Sequence, residues 1–194
     1  MKKHILVAIL ISLSAVALSA CTQPELPQDH YYRLQITPPP AGELKLDGVL
    51  EVNRFRADGL ISGRPIAYSE GKGHLSEYHY HFWVEPPVDL LQDAMVTFLR
   101  SAAIARHVVT PQLRMAEDYL LNVKIKRLER DLSAEPKVIV ELEIGLKEVA
   151  QDRILVLKTY KRELAQTQEG VHGSVNAINR ALTDIYTQFL DDVR

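Results

Sequence analysis

Leu18-Ser19-Ala20-Cys21 closes a segment that begins with Lys2 and Lys3 and continues as an apolar run from Ile5 to Leu18; Cys21 is the chain's single cysteine. A charged start, an apolar middle and small residues before a cleavage point are the order of a secretory signal. A cysteine directly after that point adds its own chemistry, because its thiol can take a diacylglyceryl group in a thioether and its α-amino group, once the signal is cut away, can be acylated. Residues 1–20 therefore read as a bacterial lipoprotein signal peptide ending in a lipobox. Cys21 is the expected lipidation site, carrying a diacylglycerol and an N-acyl chain such as palmitate. The apolar run of 14 residues falls short of the roughly 20 that a spanning helix needs. Each buried acyl methylene contributes about 0.8 kcal/mol, so three long chains hold a protein on a membrane almost irreversibly.

The other residues whose types and spacing suggest chemistry are His79-Tyr80-His81, with His74 and Glu77 close by. On a regular strand His79 and His81 share a face and could both ligate a metal, with His74 at the opposite parity. Zinc takes three or four ligands, and the sequence offers no further ones at a matching spacing, so no metal site is assigned. Nucleophilic catalysis has no support either: there is no Gly-x-Ser-x-Gly elbow and no free thiol, and Gly71-Lys72-Gly73 is too short to cradle a phosphate. Asp191-Asp192 reads as a solvated pair. No catalytic residue and no cofactor beyond the acyl groups on Cys21 are expected, and the chain is read as a non-enzyme. Without Lys2 and Lys3 the remaining chain carries 21 basic and 25 acidic side chains, a balance that argues against nucleic acid, whose binding needs a basic stripe.

Residues 21–30 are polar, contain Pro24 and Pro27, and read as a lipidated tether; extended, the stretch from Thr22 to Asp29 reaches about 25 Å. Residues 31–194 are long enough for one globular domain. Tyr32, Leu34 and Ile36 alternate with polar neighbours and predict a strand, as do Leu46, Leu50 and Val52. Phe55 to Gly63 reads as a loop. Ile66 and Tyr68 form a short strand that turns at Glu70-Gly71-Lys72-Gly73 into a long one from His74 to Val84, a hairpin. On that strand alternation places Tyr78, Tyr80 and Phe82 on one face and His79, His81 and Trp83 on the other. Pro86-Pro87 stops it and opens a helix, with Leu91, Met95, Phe98 and Ala102 as its stripe to about Arg106. Three strands follow: Leu121 to Ile125, Val138 to Leu146 and Ile154 to Leu164, joined by short connectors that suit antiparallel pairing. A second helix from about Ser174 carries Val175, Ile178, Leu182, Ile185 and Phe189 on one stripe. The expected class is α+β, a mainly antiparallel sheet with two helices packed largely on one face.

Tyr31-Tyr32-Arg33-Leu34 soon after the cysteine, Gly59-Leu60 followed by Arg64-Pro65-Ile66-Ala67-Tyr68, and Tyr78 to Trp83 leading into Glu85-Pro86-Pro87 and a helix with Leu90, Leu91 and Leu99 form an ordered set. In that order and spacing the chain resembles the ABC-type transport auxiliary lipoprotein family (PqiC/YmbA-like). Phe82-Trp83-Val84 stands where Arg-Trp-Ala is common in that family, so no role for a basic residue before the tryptophan is carried over. The resemblance implies an auxiliary component of an envelope lipid-transport system. Its implied partners are an MCE-domain protein with its permease and ATPase, and the lipoprotein docks the MCE assembly at the outer membrane. Thr22, where an Asp would favour retention in the inner membrane, is in keeping with a lipid-anchored position on the periplasmic face of the outer membrane. Aromatic residues are favoured anchors of protein interfaces, so Tyr78, Tyr80 and Trp83 are the partner-interface candidates, toward another protein or a second copy in a homo-oligomer. Two other readings stand beside this one: an assembly or activation factor for another envelope machine, such as lipopolysaccharide export or cell-wall synthesis, and a periplasmic metal-binding protein using His79 and His81.

Overall fold

The computed structural model describes residues 26–71, 73–133 and 135–193; the expected signal peptide, Cys21 and the first part of the expected tether lie outside them. The chain forms one nine-stranded sheet. Its spine is β7 (Tyr119–Asp131), whose inward residues Leu121, Val123, Ile125 and Leu128 are all buried. One edge of β7 pairs along its length with β8 (Lys137–Glu148), which in turn pairs with β9 (Arg153–Ala165), both antiparallel. The alternation of Val138, Val140, Leu142, Ile144 and Leu146, each fully buried, is the sequence signal that produces this half.

The opposite edge of β7 is shared by three successive strands, all parallel to it. β2 (Leu46–Val52) meets residues 119–121, β3 (Arg56–Ala57) residues 124–125 and β4 (Pro65–Ser69) residues 129–131. The sheet then forks. β2 is extended by β6 (Ala105–Val109), parallel; β4 is extended by β5 (Leu75–Trp83), antiparallel, and β5 by β1 (His30–Tyr32), parallel. The α+β class holds, with a sheet that is mixed: its longest ladders are antiparallel and its short ones mostly parallel.

Helix α1 (Pro87–Ser101) starts on Pro86-Pro87 as expected, and Leu91, Met95, Phe98 and Leu99 are buried beneath it. It is fastened to the end of β2 by Gln92 Nε2, which donates to the Val52 carbonyl at 2.9 Å, and by the Arg54 guanidinium on Asp89 in its first turn. The helix stops at Ser101, short of the expected Arg106. Ala103 takes a left-handed conformation at φ 54° and turns the chain into β6. Helix α2 (Gly170–Asp192) crosses β8 and β9 and packs on α1, with the Phe98 and Tyr186 rings 5.5 Å apart. Its stripe Val175, Ile178, Leu182, Ile185 and Phe189 is buried throughout. Lys45 Nζ reaches the carbonyls of Leu190 and Val193 and supplies the positive charge that the last turn of α2 lacks.

α2 begins a turn earlier than the apolar stripe indicates, and Gly173 permits it. A Cβ at that position would lie 2.0 Å from the carbonyl oxygen of Gln168. Gly→Ala inside a helix ordinarily stabilises by about 1 kcal/mol. At Gly173 the sign is expected to reverse, with Gly173→Ala costing about 1–3 kcal/mol because the backbone of the preceding loop must shift. Urea unfolding of the variant checks this, and a raised midpoint would refute the packing argument.

The expected strand through Tyr32, Leu34 and Ile36 is realised only as far as Tyr32. Beyond it the chain leaves the sheet and lies along α2, where the Gln35 N–H donates to Asn179 Oδ1 at 3.0 Å and the Thr37 N–H to Thr183 Oγ1 at 3.4 Å. Leu34 and Ile36 pack against the core from there. An alternating pattern reports that one side of an extended segment is buried; it does not say whether a strand or a helix covers it.

Candidate functional site

β1, β5 and the tether root converge at one end of the forked sheet, and the candidate residues gather there. β5 does not keep the regular alternation the sequence suggests. Its register with β4 passes from Ala67 opposite Glu77 to Pro65 opposite Phe82, so extra residues of β5 bulge between these pairs. A bulge inverts the facing of the residues beyond it. Tyr78 and His81, expected on opposite faces, come together edge-on with ring centroids 5.5 Å apart. His79 and Tyr80 form the exposed tip of the bulge, and Tyr80 is 45% exposed.

The face that carries Tyr78 and His81 gathers an aromatic cluster. The Tyr32 hydroxyl lies 2.9 Å from His81 Nδ1, the His30 and His81 rings stack at 5.0 Å, and His172 of α2 stands 6.5 Å from the Tyr32 ring. Tyr78 packs on Tyr68 at 4.6 Å, and its hydroxyl accepts a hydrogen bond of 2.8 Å from Arg130 Nη1. Burial, with a smaller contribution from His30, holds the His81 imidazole below its ordinary pKa, and burial raises the Tyr32 hydroxyl. The opposite face of the same strands carries Tyr31 stacked on Phe82 at 5.7 Å, with the Arg64 guanidinium 5.5 Å from the Tyr31 ring centroid.

The interface candidates therefore occupy three different settings. Tyr80 is exposed at the bulge. Tyr78 is half-buried and held by Arg130. Trp83 is 2% exposed and belongs to the core, where it supports the strand from behind and presents no ring to a partner. The sequence pattern put Tyr32 on a strand and in the family motif without a site role, and it did not single out His30, Arg130 or His172. Tyr32 and His81 are 49 residues apart, Tyr78 and Arg130 52, and no local pattern links positions so distant.

The bulge also separates the two histidines weighed as metal ligands: His79 is at the exposed tip while His81 is engaged with Tyr32 and His30. Among the described residues no group of three or more His, Cys, Asp or Glu side chains is placed to hold a metal ion, and no helix is long and apolar enough to cross a membrane.

The depressed pKa of His81 gives a pH prediction. The folded protein favours neutral imidazole, so this contribution to stability is fully present above the unfolded value of about 6.5 and is lost as the pH falls through the lower folded value. As protonation overtakes the buried His81 imidazole on acidification, β1 is expected to loosen from β5 before the rest of the sheet. Hydrogen exchange at the amides of β1 and β5 at pH 7 and pH 5 checks this; protection that is equal at both would contradict it.

Comparison with known proteins places this geometry. A crystal structure of a Xanthomonas campestris protein of the DUF330 family superposes with a TM-score of 0.75 at 21% identity, covering 83% of this chain and 92% of that one. A second solved structure, described only as an uncharacterized protein, gives 0.71 at 16% identity over 86% and 99%. A hypothetical protein of Chlamydia trachomatis gives 0.50 at 5% identity over 76% and 98%. At these identities the likeness is one of fold. No curated protein matches the chain by sequence. The profile of the ABC-type transport auxiliary lipoprotein component matches residues 32–189, from the second residue of the Tyr-Tyr pair to the last buried aromatic of α2, and the chain belongs to that family.

Proposed function

We propose that this protein is an acyl-anchored, non-catalytic auxiliary subunit that docks the MCE-domain assembly of an ABC-type lipid-transport system at the periplasmic face of the outer membrane. The family match over residues 32–189 carries the reading. The lipobox at Cys21 supplies the anchor, and Thr22 after it favours the outer membrane. The chain offers no nucleotide-binding motif, so energy comes from the partner ATPase. The docking surface is the β5 bulge: Tyr80 is the exposed anchor, Tyr78 is fixed behind it by Arg130, and Trp83 ties the strand to the core. Exposed aromatic side chains of this kind are favoured interface anchors.

Affinity purification of the intact lipoprotein from detergent-solubilised membranes tests this. An MCE-domain protein is expected to co-purify with the wild type and to be lost with Tyr80→Ala. Co-purification of a lipopolysaccharide-export or cell-wall synthase component in its place would support the assembly-factor reading and overturn this one.

A further inference from the structure

We propose that the face of β1 and β5 opposite the aromatic cluster, centred on Tyr31, Phe82 and Arg64, is the seat by which the domain rests on the phospholipid headgroups of the membrane that holds its own acyl anchor. The proposal rests on acylation of Cys21. Tyr31 is 55% exposed, large and amphipathic, and lies flat on Phe82. Tyrosine of this kind concentrates at the membrane–water interface, where the ring meets the acyl boundary and the hydroxyl stays among polar groups. Arg64 lies over the Tyr31 ring and is held by its Nε hydrogen bond of 3.1 Å to the Trp83 carbonyl, which leaves the terminal nitrogens of its guanidinium to meet a phosphate.

The position of the tether selects the membrane as occupant. β1 begins at His30, and Cys21 precedes it by nine residues, so the acyl chains sit within about 30 Å of Tyr31 at full extension. The tether root is also fastened to this face: the Tyr31 hydroxyl donates to the Asp29 carboxylate at 3.2 Å. Leu26, the first described residue, is 83% exposed just ahead of it. A surface held this close to a bilayer by a covalent link meets it at high effective concentration, so weak individual contacts suffice.

Because acylation consumes the thiol of the single cysteine, an added cysteine is a unique labelling site. Ser62→Cys, exposed on the turn leading to Arg64, reports on the proposed seat. Leu113→Cys, 58% exposed beyond β6 at the far end of the strand order, is the control. Each intact acylated variant is fluorescently labelled and reconstituted into phosphatidylcholine–phosphatidylglycerol vesicles containing headgroup-nitroxide lipid. Quenching is expected to be several-fold stronger at position 62 than at 113. Adding Tyr31→Ser is expected to bring position 62 down to the control level while the protein stays vesicle-bound. Equal quenching at both sites in protein whose N-terminal peptide carries acyl chains by mass spectrometry would overturn the seat and leave the anchor standing. An N-terminal peptide without acyl chains would remove the anchor and the seat together. Shielding of position 62 that appears only when an MCE-domain protein is added would assign the face to a protein instead.

Discussion

Replacing Cys21 with Ala is expected to move the protein almost completely from the membrane pellet to the soluble periplasmic fraction. A single acyl chain gives only marginal, reversible binding, and each buried methylene adds about 0.8 kcal/mol, so it is the combination of chains on one residue that makes attachment durable. Among the described residues no helix is long and apolar enough to cross a bilayer. The headgroup seat proposed around Tyr31 is expected to orient an anchored protein and not to retain it alone. Fractionation with a high-salt wash, followed by blotting, measures the effect. A Cys21→Ala protein that stayed in the pellet after the wash would show that protein contacts, not lipid, hold it. Partner capture should fail in the same variant, since docking at the membrane depends on the domain being there.

The second large effect separates support from contact within the three interface candidates. Trp83→Ala is expected to destabilise the domain by about 3–5 kcal/mol, the range for deleting a buried tryptophan with its cavity. Trp83 is 2% exposed, and its backbone is bonded twice to Arg64: its N–H donates to the Arg64 carbonyl at 2.7 Å, and its carbonyl accepts from Arg64 Nε. Tyr80→Ala removes a ring that is 45% exposed and is expected to change stability by no more than about 0.5 kcal/mol while abolishing partner capture. Chemical denaturation and co-purification on the same two proteins give the comparison. A stable Trp83→Ala protein that had lost its partner would put the tryptophan at the interface and refute its placement in the core.

The elements whose apolar residues recur with a regular period were legible in the sequence. Leu121-Val123-Ile125, Val138 to Leu146 and the two helical stripes are buried where period two and period 3.6 put them, because one covered face is what creates those patterns. The expected export signal, with the cysteine behind it, rests on an equally local pattern and lies outside the described residues. The helix end at Ser101 was not legible, since Ala102-Ala103 continues the pattern with good helix formers and carries no glycine stop; the turn at Ala103 is imposed by the packing of β6 on β2.

What the sequence by itself determined is therefore the α+β class and the buried face of most elements, which depend on neighbours a few residues apart; the expected anchor at Cys21 rests on the same kind of local pattern. The tertiary structure alone decided that β2, β3 and β4 divide one edge of β7, that a bulge turns Tyr78 toward His81, that Arg130 holds Tyr78, and that Trp83 faces inward while Tyr80 faces out. Each of these depends on strand register or on contacts between residues far apart in the chain. A shift of one residue in register exchanges the two faces of a strand and leaves no trace in its composition.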